Sequence, residues 1–110
     1  MSGRVSYLGE FEQVVLLAVA RLKDEAYGMG LRAEIEERSG RSTSIGAIYA
    51  TLDRLVAKGY LRQRDDNSTG RARRFFTLTE AGVAALESAR SLQQRMWAGV
   101  QLRKGRSRVS

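Results

Sequence analysis

The side chains best suited to close polar contact gather in two stretches. One is Arg41-Ser42-Thr43-Ser44, with three consecutive hydroxyls ahead of a strongly helical segment whose outer side carries Ser44, Ala47, Ala50, Thr51, Arg54 and Lys58. The other runs from Arg62 to Arg74 and holds five arginines against two aspartates, +3 in thirteen residues. Hydroxyls at a helix start can bond phosphate oxygens, small residues let a backbone approach a surface closely, and guanidinium groups pair with phosphates whatever the sequence. The chemistry on offer is recognition of a polyanion. Catalysis lacks its usual parts, because histidine and cysteine are both absent; the common zinc ligands, the thiolate nucleophile and the best proton carrier near neutral pH go with them. The acidic pairs Glu36-Glu37 and Asp65-Asp66 read as solvated, on an exposed helix and in a polar turn, where nothing would shift their pKa values. With no glycine-rich phosphate loop and no metal-ligand cluster either, neither an enzyme nor a cofactor or metal is expected.

Positioning these residues takes four helices and a hairpin. From Leu8 to Leu22, Phe11, Val15, Ala18, Val19 and Leu22 form one stripe while Val14, Leu16 and Leu17 fill neighbouring faces. That width fits either a central core helix or one with a second surface for a partner chain. Gly28 to Ser39 reads as a shorter amphipathic helix, entered at Tyr27-Gly28, with Leu31 and Ile35 inward, Glu34 and Arg38 as an exposed i,i+4 pair, and Gly40 as its stop. The third helix, begun among Ser42, Thr43 and Ser44, turns Ile45, Ile48, Tyr49, Leu52, Leu55 and Val56 inward and closes at Gly59. Alternation then predicts strands over Tyr60–Arg64 and Arg71–Leu78, joined through Asp65–Gly70. Thr79 caps a last helix, predicted to reach about Leu102, whose stripe of Leu86, Ala89, Gln93, Met96 and Val100 is a narrow seam.

The chain has 110 residues, 19 basic against 12 acidic, for a formal net charge of +7. That length supports one ordinary core. Four of the basic residues, Arg103, Lys104, Arg106 and Arg108, stand without an acid in the last eight positions, either as an arm for a polyanion or as a frayed, solvated terminus. The longest apolar run, Val14 to Ala20, is far short of a membrane span, and the acids Glu10 and Glu12 stand where a leader peptide would be basic, so a cytoplasmic protein with no membrane partner is expected.

Three helices, a basic hairpin and a further helix is the order of a winged helix-turn-helix, mainly α with a small β-hairpin, in which the third helix enters the DNA major groove. The same fold can serve an RNA-binding or protein-docking module, which is the alternative. From Leu8 to about Leu86 the chain resembles the PadR-like transcriptional regulators. The likeness rests on Tyr27-Gly28, on Ser44-Ile45-Gly46-Ala47-Ile48-Tyr49, on Leu52-Asp53-Arg54-Leu55 with Lys58-Gly59, and on Gly70-Arg71-Ala72-Arg73-Arg74-Phe75-Phe76-Thr77-Leu78-Thr79 with Gly82. Many members carry proline directly after the matching tyrosine, where this sequence has Ala50.

The resemblance implies a DNA-binding unit over residues 1–78, a dimerisation helix over 79–102 and a basic tail over 103–110. It also implies a homodimer on double-stranded DNA with an inverted-repeat operator, and often repression relieved by a small hydrophobic effector. The DNA-facing set expected here is Tyr27, Gly28, Ser42, Thr43, Ser44, Gly46, Ala47, Tyr49, Ala50, Arg54, Lys58, Arg71 and Arg73. The dimer face and candidate effector site are expected at Phe11, Val15, Met96, Trp97 and Val100, with Trp97 either touching the effector or simply anchoring the interface.

Overall fold

The computed structural model describes residues 7–103. Helix α1 (Glu10–Leu22) follows Gly9, and Glu12 reaches back to accept the Gly9 N–H at 2.8 Å, satisfying a donor at the helix start. A 3-10 turn (Lys23–Glu25) leads to α2 (Gly28–Ser39), which ends where Gly40 adopts φ 72, a left-handed stop that glycine takes without strain. Ser44 caps α3 (Ile45–Ala57) by accepting the Ala47 N–H at 3.0 Å. Strands β1 (Leu61–Asp66) and β2 (Arg73–Leu78) pair antiparallel, in register from Leu61 opposite Leu78 to Asp66 opposite Arg73. Tyr27 bridges Phe75, and the Phe76 N–H donates to the Ala26 carbonyl at 2.9 Å, so the start of α2 is stitched to the hairpin.

Helix α1 runs through the middle, packed on α2, α3, β2 and α4 (Glu80–Trp97). This accounts for most of its apolar width, with Leu17 left exposed. Val15 and Leu16 are enclosed there with Leu31, Ile48, Leu52, Leu55 and Phe76. Val15 was expected at a dimer face; it is 0% exposed and has no surface left to offer. Thr51, read as an outer residue, is also buried, because it shares a face with Ile48 and Leu55 one turn to either side.

Helix α4 is held by its first turns. The Thr79 hydroxyl donates to the Gly59 carbonyl at 2.6 Å and accepts the Gly82 N–H at 3.0 Å, while the Thr79 N–H donates to the Tyr60 carbonyl at 3.1 Å. Gly82 is buried against Tyr60, where a Cβ would overlap the Tyr60 carbonyl oxygen. From Gln93 onward every described side chain is exposed. The described chain is accordingly elongated, 63 × 40 × 20 Å, with a radius of gyration of 17.3 Å against about 13 Å for a compact chain near 100 residues. The helix stops at Trp97, five residues before the expected end, since Ala98 is extended and Gly99 has φ 79. Val100 therefore does not continue the stripe through Met96.

Two carboxylates also depart from expectation. Glu36 accepts the Thr43 N–H at 2.8 Å and pairs with Arg32, which together lower its pKa; the Ser68 N–H does the same for Asp66 at 2.8 Å, with its hydroxyl and Arg64 adding. Both are solvated structural acceptors. Among the described residues no helix is long and apolar enough to cross a membrane.

Candidate nucleic-acid interface

The outer face of α3 presents Gly46, Ala47 and Ala50, all exposed and all small, so its backbone can approach a flat or grooved surface. Ser42 and Ser44 are exposed at its start; Thr43 is half-buried, tied through its N–H to Glu36. Beside them lies an open groove of about 600 Å³ between α1, α2 and the start of α3, with Phe11, Val14, Ile35 and Ala47 along its apolar side and Arg41 at its rim.

At its other end α3 carries Arg54 and Lys58, and neither is free. Lys58 Nζ lies 2.8 Å and Arg54 Nε 3.4 Å from the same Glu12 oxygen. Burial alone would raise the Glu12 pKa; hydrogen bonds from Lys58, Gly9 and Arg54 and the Lys58 charge outweigh it and hold the carboxyl below its ordinary 4.5.

Two aromatic joints fasten the wing to the helices. The Arg73 guanidinium lies 4.5 Å from the centre of the Tyr27 ring, and Tyr27 meets Phe75 at 5.6 Å in a tilted pair whose far side is covered by Arg64 at 4.7 Å. Arg74 lies 5.1 Å over Tyr49, within 3.2 Å of Asp53 Oδ1 and 3.3 Å of Gln63 Oε1. The Tyr49 hydroxyl abuts Gly28 so closely that a Cβ there would overlap it. Gly28, expected as a contact residue, is thus buried packing surface that lets Tyr49 seat. Tyr27 joins the wing to the start of α2, and Tyr49 joins it to α3 through Arg74. Arg71 is exposed beside the tip, and among the described residues it forms no ion pair.

The expected effector residues are not assembled within the chain. Met96 and Trp97 stand exposed at the end of α4, Val100 lies beyond it, Phe11 faces the groove beside α3, and Val15 is enclosed. Sequence reasoning missed Val83, which with Leu17 lines a second groove between α1 and α4; both are exposed, and the sequence pattern marks only Leu17, as part of the excess apolar width of α1. The signal for Val83 was an apolar residue beside Glu80 and Glu87 on α4. Sequence reasoning also missed Glu12 and Arg74, whose nearest ion-pair partners lie 42 and 21 residues away in sequence.

Three packed helices, a hairpin with a basic edge and a small-faced third helix define a winged helix-turn-helix. Residues 16–88 match the family described as Transcriptional regulator PadR-like family. The Transcriptional regulator Rv3488 of Mycobacterium tuberculosis is 42% identical over 72 residues, a match covering 64% of this chain and 66% of that protein, just under two thirds of its length. RosR of H. salinarum superposes with a TM-score of 0.70 at 23% identity, covering 86% of this chain and 81% of that one. A PadR family transcriptional regulator from Eggerthella lenta gives 0.66 at 23% identity, with 82% and 81% covered. At those identities the structural likeness is one of fold. The chain belongs to the PadR-like family of transcriptional regulators, whose members are not enzymes.

Proposed function

We propose that this regulator is a homodimeric repressor that reads an inverted-repeat operator in double-stranded DNA. The observation that carries the reading is the bare outer face of α3. Gly46, Ala47 and Ala50 stand exposed beside the hydroxyls of Ser42, Thr43 and Ser44, a shape that suits a helix laid on base edges with phosphates at its start, while Arg54 and Lys58 at the other end are held by Glu12. The wing adds Arg71 and Arg73, with Tyr27 holding Arg73 in place. Residues 1–78 would bind DNA and 79–102 would pair two chains, supported by the exposed end of α4 with Met96 at 68% and Trp97 at 54% exposure. An effector, planar and hydrophobic, would enter where those residues meet a second chain. The part assigned to the basic tail falls at 104–110, outside the described residues.

Selection from a random duplex pool tests the reading, since one result reports binding, symmetry and specificity together. The expected product is a palindrome whose half-sites lie about one helical turn, roughly 34 Å, apart. Ala47→Glu and Ala50→Glu should each abolish binding while circular dichroism remains unchanged. Retained affinity in both variants would remove α3 as the reader.

A further inference from the structure

Glu12 is the one buried ionisable side chain among the described residues. Capping α1 asks for only one of its oxygens, the one that accepts the Gly9 N–H. The other oxygen takes Lys58 and Arg54 at once, from the opposite end of α3. Arg54 is held at a second point, where its Nη2 donates to the Thr51 hydroxyl at 3.3 Å, yet its side chain stays 53% exposed over the outer face of α3. The two cations at the C-terminal end of α3 are therefore tied to a carboxylate that burial keeps from being screened. A DNA phosphate reaching for Lys58 must displace an anion already at 2.8 Å.

Building on the DNA-binding function proposed above, we infer that Glu12 determines how selectively α3 binds: it withholds Lys58 and Arg54 from indiscriminate phosphate contact and holds Arg54 in one orientation on the reading face. Non-specific binding comes from released counterions, so it grows with every cation free to meet a phosphate. Specific binding gains instead from side chains that need no further ordering. A buried carboxylate clamping both cations lowers the first contribution and favours the second. Glu12 is a positioning residue, and it need not touch DNA.

Glu12→Gln keeps the shape and removes the charge. Affinity for an unrelated duplex and for the selected operator would be followed by anisotropy across a salt series, using the full chain, Glu12→Gln, Lys58→Met and the double variant. Each freed contact should steepen the salt slope by about 0.9 and strengthen binding to the unrelated duplex about eightfold at about 0.1 M salt, relative to about 1 M. Operator affinity should rise less, so the ratio between the two falls. Lys58→Met should change unrelated-duplex affinity less than about twofold when Glu12 is present and remove about half of the logarithmic gain, about one eightfold step, when it is absent. An unchanged salt slope in Glu12→Gln, or parallel weakening on both duplexes, would overturn the inference by making Glu12 a purely structural cap. Should Glu12→Gln not fold, Lys58→Met alone decides: a full unit of salt slope lost in that variant means Lys58 was a free phosphate contact. Wild-type protein that binds neither duplex refutes the DNA-binding function itself, a result distinct from any of these.

Discussion

Replacing Gly82 by alanine sets two physical effects against each other, and their sizes decide the sign. Gly82 lies in the first turn of α4, where helix propensity alone favours alanine by about 1 kcal/mol. The new Cβ, however, would overlap the Tyr60 carbonyl oxygen, a backbone atom that cannot rotate away, and come within 3.2 Å of Leu78 Cδ2. Relief requires α4 to lift, which strains the Thr79 N–H bond to Tyr60 at 3.1 Å and the Thr79 hydroxyl bond to Gly59 at 2.6 Å. Overpacking costs about 1–3 kcal/mol and each weakened hydrogen bond about 1 kcal/mol. After the propensity gain is subtracted, the net loss is about 2–4 kcal/mol, equivalent to a Tm lower by about 8–30 °C for a domain of this size. Thermal melts at one fixed protein concentration, followed by circular dichroism, give the number, with Thr79→Val as a reference that loses the cap and the hydroxyl bond to Gly59, about 2 kcal/mol together. A Gly82→Ala protein as stable as wild type or more so would mean that α4 is not seated on Tyr60.

Acid should weaken the α1–α3 tie first. The Glu12 pKa is depressed in the fold, so the stability it contributes is complete above its unfolded value near 4.5 and is lost as pH falls through the lower folded value; Glu12→Gln should flatten that part of a stability–pH curve. Arg71→Ala should leave the melting temperature unchanged and lower the DNA salt slope by about one, whereas Arg74→Ala should also cost stability, about 0.5–1 kcal/mol, through its lost place over Tyr49. Trp97 is the sole tryptophan, so its emission should shift to the blue as concentration rises if α4 pairs, with sedimentation giving about 24 kDa against 12.2 kDa for one chain; an unshifted spectrum and a 12 kDa species would refute pairing.

Local signals carried most of the fold. Tyr27-Gly28, Gly40, Ser44, Gly59 and Thr79 mark helix boundaries by backbone chemistry that acts within four residues, and the structure puts the boundaries there. The end of α4 was misjudged because the apolar spacing of Met96 and Val100 continues past Gly99, whose left-handed backbone breaks the helix. Thr51 was misplaced for the opposite reason: its polarity suggested the outer face, while its position relative to Ile48 and Leu55 demands the inner one. Val15 shows that apolar width cannot tell one chain's core from an interface. At the candidate site the small residues of α3 were legible. The long-range partners were not, for nothing within ten residues of Glu12 announces Lys58, and nothing near Arg74 announces Tyr49.

The way α4 is held makes one helix an internal gauge. Its first turns hang on Thr79, Gly82 and Leu86, whereas from Gln93 to Trp97 its side chains touch little of their own chain. An uncovered helix end of this length is marginal in water, so its amide hydrogens should exchange by local fraying while those near Val83 wait for the domain to open. Covering the exposed face would erase that difference. The steepness of the protection gradient along eighteen residues thus registers whether α4 stands alone, site by site, without any label attached to the protein.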